Sequence, residues 1–228
     1  MFGLDDKIAA LGTGEAFVLV ALIAVLLGLR HASDPDHLTA VTALIAGSSG
    51  RDHRKAGSLG FVWGLGHATT LFAFGLPIVV AKRYLPEPVQ QGAETAVGVL
   101  IIGLALRLLI RWRCGAFREG AGHRHPHGRT PLQAYGIGLV HGMGGSAGVG
   151  VLLLAAIPNR AEAIVALGLF ATFTAMSMAL ASSTFGYALT RPPVLRRFAT
   201  IAPALGATSL AFGVWYSLGA VGAVPYAF

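Results

Sequence analysis

Long apolar runs follow one another along nearly the whole chain, at 16–46, 56–81, 95–111, 132–157, 161–189 and 198–224. A helix rising about 1.5 Å per residue needs about 20 apolar residues to cross a hydrocarbon core of about 30 Å. Most of these runs meet that length, and the predicted class is all-α: a polytopic transmembrane helical bundle of about six spans. The breaks are marked by polar or helix-breaking residues. Segment 47–55 is polar, 82–94 carries Pro86 and Pro88, and 114–131 is basic and rich in His. Pro158 with Asn159, and Pro192 with Pro193 inside 191–197, supply the others.

Composition agrees with that pattern. At 54% hydrophobic and 12% charged residues, with mean hydropathy +0.67, the chain lies outside the range of soluble domains. A single membrane domain over 1–228 is expected, made of a first half 1–113, a basic loop 114–130 and a second half 131–228. Asp5, Asp6 and Lys7 precede the first run without a convincing cleavage site, so the first helix is expected to stay in the mature protein. The single Cys114, beside Arg111, Trp112 and Arg113, excludes an internal disulfide and reads as a thiol at the membrane boundary.

Charge then orients the bundle. The formal net charge is +7, and eleven Lys and Arg fall in the loops on one side against four on the other. Because Lys and Arg are retained on the cytoplasmic side of short loops, both termini are expected outside the cytoplasm. The pI of about 10.2 then reflects topology and contact with a lipid bilayer, and no nucleic-acid partner is expected.

An internal echo adds a plan for the fold. Gly28-Leu29-Arg30-His31 returns 110 residues later as Gly138-Leu139-Val140-His141, and Gly103 and Gly213 share the offset. Three spans in each half would force the halves into opposite membrane orientations, a 3+3 inverted repeat with its site at the repeat interface.

Five ionisable residues interrupt the first run: Arg30, His31, Asp34, Asp36 and His37. An ionised side chain at the bilayer centre costs several kcal/mol, so these must face protein, water or a bound ion. On an unbroken helix His31, Asp34 and His37 share one stripe and Asp36 points elsewhere. Pro35 cannot donate to the carbonyl four residues back, at His31. A break there would free that carbonyl and bring Asp36 into the same cavity. Two His and two Asp suit Ni, Co or Zn better than Mg or Ca, with the carboxylates also able to hold the far imidazole nitrogens. The competing reading is a buried ion-pair network with Arg30, or a proton relay.

Two further membrane histidines are His67 and His141. Each alone reads as a hydrogen-bonded packing residue; with the first motif both become candidate metal ligands. Gly138 with Gly142, and Gly144 with Gly148, have the spacing that lets helices approach closely, and are expected to bring His141 toward the first helix. Thr69, Thr70, Thr172, Thr174, Ser177, Ser182 and Ser183 are expected to satisfy their own backbone. The loop residues His123, His125 and His127 read either as a metal collector or as an incidental solvated cluster.

At these residues the chain resembles the nickel/cobalt transporter family of bacterial secondary permeases. The family signature is a His, four residues, then Asp-His; here that is His31, Asp36 and His37. Gly66-His67-Ala68-Thr69-Thr70 is similar to the second signature on the following helix. The resemblance covers mainly the first two spans. Typical members have eight spans with the motif in the second, so this chain looks more like the shorter six-span branch associated with urease accessory genes. It implies that His31, Asp34, Asp36, His37 and His67 select and pass the ion, with Ni2+ or Co2+ as transported substrate and no prosthetic group. It also implies a multi-pass protein of the bacterial inner membrane, with a second copy or a metal-delivery protein as open partners.

Uptake leads among the functions, with efflux, an intramembrane metalloenzyme and a metal sensor as alternatives. The chain has neither a Walker-type phosphate loop nor a His-Glu-x-x-His helix, so it is expected not to be an enzyme.

Overall fold

A computed structural model of the chain describes residues 14–46, 53–82, 85–117, 130–144 and 148–225. The helices among the described residues are α1 (Gly14–His31), α2 (Pro35–Ala46), α3 (His53–Ala81), α4 (Glu87–Arg113), α5 (Pro131–His141), α6 (Gly148–Ala155), α7 (Arg160–Thr190) and α8 (Pro192–Ala220). The regular structure of the described residues is entirely helical, and the fold is an all-α bundle. His123, His125 and His127 lie outside the described residues.

Four stretches are long and apolar enough to cross a membrane: Ala56–Ala81, Glu87–Arg113, Arg160–Leu189 and Arg197–Ala220. They correspond to four of the runs read from the sequence. The other two runs are broken. The first is α1 and α2, bent by 47°. The break falls at Ala32, Ser33 and Asp34, and Pro35 is the first residue of α2 rather than an interior kink. Proline suits that position because its missing N–H would have no intrahelical partner there. Asp34 N–H donates to the His31 carbonyl at 3.1 Å, so that carbonyl is not freed as expected. The run at 132–157 is α5 and α6, of 11 and 8 residues, each too short to span alone. Gly142 and Gly144 follow α5 directly, and glycine is a poor helix former.

Local signals start the other helices. Thr130 and Gln133 form a reciprocal capping box at α5, with Pro131 behind the cap. Asn159 caps α7 through its side-chain oxygen, 3.0 Å from the Ala161 N–H. Pro192 and Pro193 open α8.

The helices pack in matched pairs. α3 packs against α7 and α4 against α8, while α1 meets α7 and α5 meets α3. The last two crossings correspond in detail. A methyl group added at Gly28 would stand 2.6 Å from the Phe170 carbonyl oxygen and 3.0 Å from the Thr174 nitrogen. One added at Gly138 would meet the Trp63 carbonyl oxygen and stand 2.8 Å from the His67 nitrogen. Ser177 donates to the Gly28 carbonyl at 2.9 Å, and Thr70 donates to the Leu139 carbonyl at 2.9 Å. Gly138 and Gly142 therefore seat α5 on α3, and His141 at the end of α5 comes to lie beside His37 and Asp36 of the first run, as expected. Gly144 faces Val97 and Tyr216.

Apolar side chains also cover the outside: Val18, Leu22 and Leu26 on α1, and Val165, Met176 and Leu180 on α7, are all exposed. Such surfaces are unfavourable in water and match lipid tails. Inside, one apolar cluster gathers around Trp63, Leu104 and Met178 and another around Leu71, Leu167 and Phe170. The polar residues of the first motif sit between them.

Candidate metal centre

Four imidazoles meet where α1, α2, α3 and α5 converge. His31 ends α1, His37 lies in the first turn of α2, His67 is mid-way along α3 and His141 ends α5. Their side chains are almost completely enclosed, at 3%, 1%, 1% and 1% exposure. Ring centroids are 4.4 Å apart for His31 and His37, 4.8 Å for His37 and His67, and 4.5 Å for His37 and His141. His37 is the centre of the group.

Carboxylates hold the two motif histidines from behind. His31 Nδ1 is 3.0 Å from Asp34 Oδ2, and His37 Nδ1 is 3.1 Å from Asp36 Oδ1. A carboxylate at Nδ1 favours the tautomer whose Nε2 carries a lone pair, the arrangement that supports metal-ligating histidines. His31 Nε2 lies 3.1 Å from His67 Nε2. Two nitrogens bound to one ion at about 2.0–2.1 Å stand about 2.8–3.4 Å apart in cis-octahedral or tetrahedral geometry, so this pair needs little adjustment. His37 Nε2 and His67 Nδ1 are buried with no hydrogen-bond partner. Unpaired buried polar atoms are costly. On His141, Nε2 stands 3.5 Å from Asp36 Oδ2.

All six residues read as candidate ligands thus come together, with divided positions. Asp36 is buried and reaches two histidines, His37 and His141. Asp34 is partly exposed and reaches His31 and, at 3.4 Å, Arg30. Arg30 is itself 74% exposed, so its ion pair with Asp34 lies at the edge of the cluster. The ligand atoms of His31, His37 and His67 lie within 4.8 Å of one another, and so do those of Asp36, His37 and His141. Both triads are fully buried, and their imidazole and carboxylate donors suit a divalent transition metal.

Two aromatic side chains that sequence reasoning passed over enclose the cluster. The Phe170 ring is 5.7 Å from His31, and the Trp63 ring is 5.5 Å from His141 and 5.9 Å from His37. The available signal was their offset: Trp63 and Phe170 are 107 residues apart, as are His67 and Thr174. Most hydroxyls behave as expected. Thr69, Thr172 and Ser183 donate to carbonyls of their own helices. Thr174 and Ser182 differ, both fully buried with their hydroxyls unpaired. Cys114 is exposed at the C-terminal end of α4.

Comparison with known proteins identifies the family. The profile of the NicO family, described as high-affinity nickel-transport protein, matches residues 17–131, half of the chain. The chain is 25% identical over 179 residues to urease accessory protein UreH of Bacillus sp. (strain TB-90), covering 72% of this chain and 75% of that protein. It is 33% identical over 103 residues to nickel transporter NicT of Mycobacterium tuberculosis, covering 42% of this chain and 27% of NicT. No solved structure matches the chain at a significant level. The chain belongs to the NicO family of nickel-transport proteins: it is a multi-pass membrane protein of the metal-ion transport class and not an enzyme.

Proposed function

From membership in this family, we propose that the chain carries Ni2+, and Co2+ as a related ion, into the cell through the His/Asp cluster. The observation that carries the site is the buried pair His31 and His67, whose Nε2 atoms face each other at 3.1 Å from different helices. Neither imidazole gains from that approach unless a proton or a metal ion lies between them. His37 supplies the third nitrogen, and Asp34 and Asp36 orient the ring nitrogens that face away.

The transport cycle follows from the ligand chemistry. The ion sheds part of its water, is held by neutral imidazoles with carboxylate support, and is released as the two halves rearrange. An inward-negative potential contributes about 4.6 kcal/mol per 100 mV for a divalent ion, which favours uptake without nucleotide hydrolysis. The matched crossings of α1 on α7 and α5 on α3 support reading 1–113 and 131–228 as two halves related by a pseudo-two-fold axis, with the site between them. The bundle lies in the bacterial inner membrane with both termini outside the cytoplasm.

The test uses the purified full chain in liposomes with a nickel-sensitive dye inside. Wild-type protein is expected to move nickel inward under an inside-negative potential, and His31→Ala and His67→Ala to lose that activity. No nickel movement by wild-type protein overturns the function, and variants as active as wild type overturn the site. Cells expressing the chain should accumulate nickel; a fall in cellular nickel would instead mark efflux.

A further inference from the structure

We propose that the cluster is two adjacent metal subsites sharing His37, and that the ion passes from one to the other during each transport event. The proposal rests on the metal-transport reading above.

The two triads divide the ligands cleanly. His31 and His67 belong to one, Asp36 and His141 to the other, and His37 to both. Among the described residues the donor atoms gather within 4.8 Å as two triads rather than as one set of five, and the His67 and His141 rings each lie within 4.8 Å of His37. His37 is therefore the common member in space as well as in the grouping. Asp36 is divided likewise, with Oδ1 toward His37 and Oδ2 toward His141.

The two subsites differ in charge. The first offers three imidazoles; the second replaces one of them with a buried carboxylate. An ion moving to the second subsite gains a direct charge partner and keeps one imidazole throughout, so it is never bare in a low-dielectric interior where an isolated charge is most costly. Conduction through a protein requires a site favourable enough to enter and multiple or weak enough to leave, and adjacent sites meet that requirement.

The matched crossings place His141 independently of these distances. His31 ends α1 beside Phe170, and His141 ends α5 beside Trp63. Each half thus contributes one helix-terminal histidine, backed by an aromatic ring, to one subsite. The correspondence stops at His67, whose counterpart is Thr174, which is why the second subsite draws on Asp36.

The experiment pairs binding with transport, using Co2+ as the probe. Purified full-length protein is titrated with Co2+ and followed by visible absorption, and the same preparations are assayed for Co2+ and Ni2+ movement in liposomes. His67→Ala is expected to weaken Co2+ binding by about tenfold or more. His141→Ala is expected to retain near-wild-type affinity and spectrum but lose transport by about tenfold or more. His141→Gln, which preserves bulk, should behave as His141→Ala and separates ligation from packing. If both His141 variants weaken Co2+ binding as much as His67→Ala, the cluster is one site and the proposal falls. It falls equally if both transport as well as wild type. Wild-type protein that moves no metal overturns the transport reading itself, an outcome distinct from either.

Discussion

The break between α1 and α2 and the break after α5 occupy matching places in the bundle and carry different chemistry. The first is three residues long, ends on Pro35, and surrounds itself with His31, Asp34, Asp36 and His37. The second begins with Gly142, and among its described residues the chemistry is His141 alone, leaning on a carboxylate of the other half. The helix crossings beneath them are the same: glycine against backbone, a hydroxyl donated across, an aromatic ring beside the terminal histidine. Two like crossings thus carry unequal sets of candidate ligands.

The largest test of that asymmetry is its shared member. His37→Ala removes a ligand from both triads and should lower nickel transport in liposomes by about a hundredfold or more, a larger loss than any other single histidine gives. Asp36→Asn should follow, at about ten- to a hundredfold, because it weakens the hold on His37 and His141 together. Asp34→Asn touches only His31 within the cluster and should cost about tenfold or less in the same assay. An order in which Asp34→Asn exceeds Asp36→Asn would reverse the division of roles between the carboxylates. Gly142→Ala comes next: the added methyl would stand 2.5 Å from the His67 carbonyl oxygen. It should reduce metal affinity in the Co2+ titration while leaving the protein folded, as judged by helical circular dichroism. Smallest of all, Gly103→Ala meets nothing within 4 Å. It should leave transport unchanged and raise thermal stability slightly, since alanine exceeds glycine in helix propensity by about 1 kcal/mol.

Much of this was legible in the chain, for identifiable reasons. Spans such as 56–81 and 161–189 stand out because lipid selects apolar residues on every face, leaving a long uninterrupted run. The density of ionisable groups from Arg30 to His37 marks a site because each is expensive in that setting. Pro35 signalled the break but placed it slightly late, since proline is as well suited to starting a helix as to interrupting one. The split of 132–157 was hidden by its apolar, Gly-rich composition, which satisfies a hydropathy reading whether or not the helix is continuous. Small-residue spacing at Gly138 and Gly142 announced close approach and the placing of His141 near the first run, but not the helix that the glycines touch. That partner, α3, depends on how the whole bundle packs. Trp63 and Phe170 were likewise unremarkable among other aromatics until their common offset was set beside the crossings.

Gly28 and Gly138 leave their crossings no room to widen or to close, because a methyl group at either would meet the backbone of the opposing helix. His31 and His141 each follow three residues later, one helical turn beyond the contact. The reach of each terminal histidine is therefore set by a glycine that touches no metal: a side chain at either position would act on the site by moving a whole helix rather than by altering a ligand.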